Sequence, residues 1–167
     1  KREADILVGT QMVTKGHDFR RITLVVALNP DAALFASDFR APERLFALLM
    51  QAAGRAGRDA ATGQRSQMWV QTWHPTHPLY AALKQHDFDA FAQGQLEERA
   101  GAGLPPFSHL ALLRAEARDV AVATAFLRAA ADAGVGLDDE AGVVVYPPVP
   151  PTLARVAGIE RMQMLLE

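Results

Sequence analysis

Ile22-Thr23-Leu24-Val25-Val26-Ala27-Leu28, closed by Asn29-Pro30, is the stretch on which the fold turns. It is a short apolar run rich in β-branched residues and bounded by turn formers, the pattern of a buried parallel strand. Upstream, residues 5–8 with Ile6-Leu7-Val8 repeat the pattern, and a loop containing Gly16 lies between the two runs. Downstream, Pro42 suits the first turn of a helix whose apolar face is Leu45, Phe46, Leu48, Leu49 and Ala52 and which ends near Gly54. Residues 67–72 alternate polar with apolar and read as a further strand. Strand, loop, strand, helix, strand is the order of an α/β lobe built on a parallel sheet.

Beyond this lobe, residues 78–99 turn helical, with Leu79, Leu83, Phe88, Phe91 and Leu96 as inward positions. Gly101-Ala102-Gly103-Leu104-Pro105-Pro106 breaks the pattern, and the expected domains are 1–102 and 103–167. The second reads as a small β-α-β-β unit of the α+β class. Its strands are expected at 110–115, 143–146 and 159–166, the last with alternating Met162, Met164 and Leu166. Its helix, 120–133, is opened by Asp119 and closed by Gly134.

The chain carries 17 Lys and Arg against 19 Asp and Glu, so net charge alone argues against an obligate nucleic-acid binder. The charge is divided, however: residues 1–66 are net +3 and residues 67–167 net −5, which places any phosphate-facing surface in the first part. There is no cysteine, which excludes disulfides and thiolate metal sites. No metal site is expected from the histidines either. His74 and His77, in Trp73-His74-Pro75-Thr76-His77-Pro78, come nearest, and the flanking prolines make a helix-entry loop the better reading. No apolar run is long enough to span a bilayer and no leader pattern occurs, so the chain reads as soluble and cytosolic, without a membrane role. Lys1 is not an initiator methionine, and the sequence is read as a piece of a larger protein.

Two segments carry chemistry. They are Gly9-Thr10-Gln11-Met12-Val13-Thr14-Lys15-Gly16-His17-Asp18-Phe19 and Gln51-Ala52-Ala53-Gly54-Arg55-Ala56-Gly57-Arg58. In the second, two planar guanidinium forks beside glycines can converge on one small anion, as a nucleoside-triphosphate site requires. The phosphate-cradling loop of glycines, lysine and Ser/Thr that such a site also needs is absent, so this chain alone is not expected to hydrolyse ATP.

In order and spacing the two segments resemble motifs V and VI of superfamily 2 helicases, and their wording resembles the PriA family of replication-restart helicases. The stretch from Asp31 to Arg44, Gln71-Thr72-Trp73-His74-Pro75 and Leu104-Pro105-Pro106-Phe107 extend the likeness over essentially the whole chain. The resemblance implies part of a RecA-like second helicase lobe, followed by the family's C-terminal domain. It casts Arg55 and Arg58 as catalytic fingers on a γ-phosphate, assisted by Gln51, with Gly54 and Asp18 also at the nucleotide. It places Gly9, Thr10 and Gln11 under the DNA backbone, with Lys15 adding a phosphate charge. Arg40 and Arg44 are candidate DNA contacts; ion pairing with Asp38 and Glu43 is the open alternative. Residues 54–58 also fit a helix C-terminus whose arginines complement the dipole, and Thr10 and Gln11 an ordinary strand-to-loop transition.

The implied cofactors are ATP and Mg²⁺, held mainly by a first lobe outside this sequence; the family's zinc has no cysteine ligands here. The implied partners are branched or forked DNA, single-strand DNA-binding protein and other primosome proteins, in the bacterial nucleoid. The family's last strand usually carries aromatics, where this chain has Ile159, Met162 and Met164, a departure that argues against strong base stacking there. Residues 147–151 form either a rigid proline-rich connection or a partner-binding loop. The leading expectation is a replication-restart protein that moves 3′ to 5′ on DNA using ATP. A helicase-like scaffold that loads primosome proteins without motor activity is the alternative; a translocase of the RecG or restriction type is disfavoured by the stretch from Asp31 to Arg44.

Overall fold

The computed structural model describes residues 5–10, 22–54, 67–134 and 142–167. The chain divides into two compact units, Lys1–Gln95 and Leu96–Glu167. The fold is mixed α/β, with a parallel two-stranded sheet in the first unit and an antiparallel three-stranded sheet in the second.

In the first unit, β1 (Leu24–Leu28) pairs in parallel with β2 (Gln67–Gln71), Val26 opposite Trp69 and Leu28 opposite Gln71. Parallel neighbours need a crossover, and here it runs through α1 (Asp31–Leu34) and α2 (Ala41–Ala53). Pro42 stands in the first turn of α2, where a missing N–H costs nothing. Leu45, Phe46, Leu49 and Ala52 are buried along one stripe of α2, while Leu48 is half-buried. The core they build with Leu34, Leu79, Tyr80, Leu83 and Phe91 includes a stacked pair of rings, Phe46 on Phe91, with centroids 4.2 Å apart.

Residues 5–8 do not form the expected strand. Ile6, Leu7 and Val8 are exposed, and the described partner of β1 is β2. An apolar run becomes a strand only where a neighbour takes up its N–H and C=O groups. The single helix expected over 78–99 is two: α3 (Pro78–Gln85) and α4 (Phe88–Ala102). His86, at φ 55°, turns left-handed and closes α3, and the Asp87 carboxylate accepts from the Ala90 N–H at 2.9 Å to start α4. The break swings Phe88 and Leu96 out to solvent, although both were expected inside.

In the second unit, β3 (Ala111–Ala117), α5 (Val120–Gly134), β4 (Arg155–Val156) and β5 (Ile159–Leu166) follow one another. The strands order as β3-β5-β4, all antiparallel. Asp119 caps α5 through the Ala121 N–H at 2.8 Å. Leu127 (0 % exposed) and Ala123 from α5 meet Ala115, Met162 and Met164 from the sheet. The strand expected at 143–146 is reduced to bridges along β5, Val145 to Leu166 and Val149 to Gln163. The backbone does run in register, Tyr146 N–H to Leu165 O at 2.9 Å and Val149 N–H to Gln163 O at 2.8 Å. Pro147 and Pro148 between them have no N–H to donate, so no continuous ladder forms. The segment of 147–151 is therefore pinned to the sheet rather than free. The β4–β5 hairpin turns through Ala157 (φ 50°) and Gly158 (φ 81°), the two positive values that a tight I′ turn needs.

Candidate functional site

Among the motif residues, Gly9, Thr10, Arg40, Arg44, Gln51 and Gly54 fall within the described structure; Gln11, Lys15, Asp18, Arg55 and Arg58 lie outside it. Gly9 and Thr10 are exposed in an irregular segment. Gln51 is exposed on the last turn of α2, and Gly54 closes that helix, its N–H reaching Met50 O at 3.0 Å. Both therefore stand outside the core at the edge from which Arg55 follows. Gly54 has φ −66°, and a Cβ there would meet only Met50 O and Gln51 O at 3.5 and 3.6 Å, ordinary contacts. The local fold does not demand glycine at this position.

Arg40 and Arg44 sit around the start of α2. Asp38 organises this turn: its Oδ1 accepts the Arg40 N–H at 2.9 Å and its carbonyl accepts the Ala41 N–H at 2.8 Å. The Arg44 guanidinium pairs with Asp38 Oδ2, so one of the ion pairs read from the sequence is present. It is a solvent-exposed pair, of the kind worth at most about 1 kcal/mol. Arg40 instead lays its guanidinium 5.1 Å from the centroid of the Phe39 ring.

One constellation was not assigned any role from the sequence. Asp31, buried at the start of α1, accepts from the Thr72 hydroxyl, from the Trp73 N–H at 2.9 Å and from the Tyr80 hydroxyl at 3.4 Å. The Thr72 hydroxyl, and then the Trp73 N–H, hold the Asp31 carboxyl below the usual carboxylate range, while burial pushes the Tyr80 phenol up. The network joins the ends of the two parallel strands: Asn29 and Thr72 are the first residues past β1 and β2. His77 serves α3, its Nδ1 accepting the Leu79 N–H at 3.1 Å, as a helix-entry residue does. Phe35 packs edge-on to His74 with centroids 4.7 Å apart. The legible signal was position, since polar side chains just beyond the carboxyl ends of parallel strands are where α/β sheets place ligands.

In the second unit, Met162 and Met164 point into the core beneath α5. No side chain at these two positions reaches a base, aromatic or not. Of the cations there, Arg161 pairs with Glu116 at 2.9 Å and Arg155 with Glu160 at 3.2 Å.

Residues 100–167 match the family described as primosomal protein N C-terminal domain. Over 165 residues, 99 % of its length, the chain is 42 % identical to the replication restart protein PriA of Haemophilus influenzae. It is 37 % identical over 165 residues to that of Synechocystis sp. and 41 % identical over 121 residues, 72 % of the chain, to that of Bacillus subtilis. The chain belongs to the PriA family and corresponds to its C-terminal region. It spans 22 %, 19 % and 15 % of these three relatives, about a fifth of their length.

Proposed function

We propose that this chain is the closing part of a RecA-like second helicase lobe and the C-terminal domain of a replication-restart protein, one that binds stalled or branched DNA forks and unwinds DNA 3′ to 5′ with ATP. The observation that carries the reading is the 42 % identity to a replication restart protein over 99 % of the chain, a span that takes in both motif segments. The parallel β1-α2-β2 arrangement is compatible with such a lobe. In this reading Arg55 and Arg58, assisted by Gln51, stabilise charge that builds on a γ-phosphate, and Asp18 and Gly54 lie against the nucleotide. Two arginines and an amide are a donor set that fits a polyphosphate. ATP and Mg²⁺ are held mainly by residues beyond this chain, and zinc, if the protein carries it, is likewise bound elsewhere, since there is no cysteine here. Gly9, Thr10, Gln11, Lys15, Arg40 and Arg44 contact the DNA backbone, and single-strand DNA-binding protein and other primosome proteins are the protein partners. No helix among the described residues is long and apolar enough to cross a membrane.

The test is ATP hydrolysis by the full-length protein with and without a forked DNA. Stimulation by the fork is expected. Tight fork binding without hydrolysis would replace the motor with a loading scaffold. Arg58→Ala is expected to abolish stimulated hydrolysis, a loss on the order of 10³-fold or more, while fork binding stays nearly intact. Equal loss of both would sink the finger assignment.

A further inference from the structure

Trp73 is 84 % exposed, yet it is not on a loose segment. Its N–H is held by the buried Asp31 carboxylate at 2.9 Å, and the residue before it donates its hydroxyl to the same carboxylate and accepts the His74 N–H at 3.0 Å. The backbone is thus clamped on both sides of a large apolar ring that points into water. Among the described residues the indole takes no hydrogen-bond or ring partner. Trp69, the other tryptophan, differs in that its indole N–H is tied to the Gln67 side-chain Oε1 at 3.1 Å. Large aromatic rings held rigid and wet are the form in which proteins present stacking surfaces.

Beside the ring lies a cavity of about 270 Å³, lined by Asn29, Gln71, Thr72 and Trp73. It opens at the carboxyl ends of β1 and β2, where Leu28 pairs with Gln71. Its size is below the roughly 300–1,000 Å³ of pockets that enclose a drug-sized ligand, which suits one planar ring system. The Thr72 hydroxyl is already committed to Asp31 and His74. The free hydrogen-bonding edges are the exposed side-chain amides of Asn29 and Gln71, each offering both a donor and an acceptor. Asn29 stands at φ 48°, a left-handed conformation that asparagine tolerates better than most residues. Among the described residues the lining offers a flat stacking face flanked by two amides, complementary to the face and edge of an unpaired nucleobase.

We propose that Trp73, with Asn29 and Gln71, forms a subsite for one unpaired base of single-stranded DNA, stacked on the indole at the strand ends. The subsite rests on the DNA-binding function proposed above and adds to it a contact outside the motif residues, made to a base instead of to phosphate. It is tested on the chain carrying Trp69→Phe, so that Trp73 is the sole tryptophan reporter. This chain is titrated at low salt with an oligothymidylate and with an abasic strand of equal length. Quenching of Trp73 emission by the oligothymidylate alone is expected. Trp73→Ala is expected to weaken oligothymidylate binding about 5- to 150-fold, with abasic binding unchanged and Trp73→Phe intermediate. Asn29→Ala and Gln71→Ala are expected to change the ranking of homopolymers. Unchanged affinity in Trp73→Ala, an equal loss for the abasic strand, or no quenching overturns the subsite. Fork binding by the full-length protein separates the two claims: fork binding alongside a neutral Trp73→Ala removes the subsite alone, and no fork binding removes the function beneath it.

Discussion

In the first unit the helices make the core and the sheet is a thin wall beside it; in the second the sheet is itself half of the core. Ala27, Met68 and Val70 of β1 and β2 are only partly buried against the helical cluster, and the other face shows Leu28 at 70 % and Trp69 at 59 % exposure. Parallel sheets are ordinarily covered on both faces. An antiparallel sheet tolerates one wet face, and that of the second unit buries Ala115, Met162 and Met164 under α5 while Arg114 and Glu116 face water. The difference teaches that the sheet of the second unit has its apolar face covered by its own helix, whereas the sheet of the first has an apolar face left over, in keeping with a chain that spans about a fifth of its relatives.

The largest test of this contrast is Leu127→Ala. Removing a side chain with no solvent exposure from so small a core is expected to cost the second unit about 2–5 kcal/mol, leaving the first unit's hydrogen-exchange protection unchanged. Loss of protection in both units would show that they fold as one. Next in size is the hairpin. Gly158→Ala meets no atom within 4 Å, so its cost is conformational alone, about 1–2 kcal/mol by denaturant titration, and Ala157→Gly should recover roughly half as much.

A pH titration separates the units in another way. The Asp31 carboxyl titrates lower in the folded state than in the unfolded one, so its contribution to stability is complete above about pH 4 and is lost as pH falls through the folded value. Asp31→Asn is expected to flatten this acid limb in the first unit and leave that of the second unchanged. The smallest effect is Val26→Thr on the open sheet face, within about 0.5 kcal/mol in this chain. A larger penalty for the same change in the full-length protein would show that the face is covered there.

Much of this architecture was legible as pattern. The bounds of β5 were read as they stand, and those of α2 and α5 to within a residue, because apolar period and capping agreed along each segment. The split between α3 and α4 was missed because nothing in Lys84-Gln85-His86-Asp87 announces a histidine at positive φ. Strand 143–146 was overread because its hydrogen bonds stop at prolines that lie just beyond it. The motif segments were legible through likeness to a family, while the clamp on Trp73 was invisible: its members, Asp31, Thr72 and Tyr80, are more than forty residues apart at the extremes of the network.

By itself the sequence determined the class of the chain, its parallel β-α-β opening and its divided charge, because these depend on residue type and local spacing. Only the tertiary structure decided which apolar faces are left open, that Arg44 pairs with Asp38, and that Asp31 holds Trp73 outward at the strand ends. Those outcomes depend on hydrogen bonds and burial between distant segments, and no local preference encodes them.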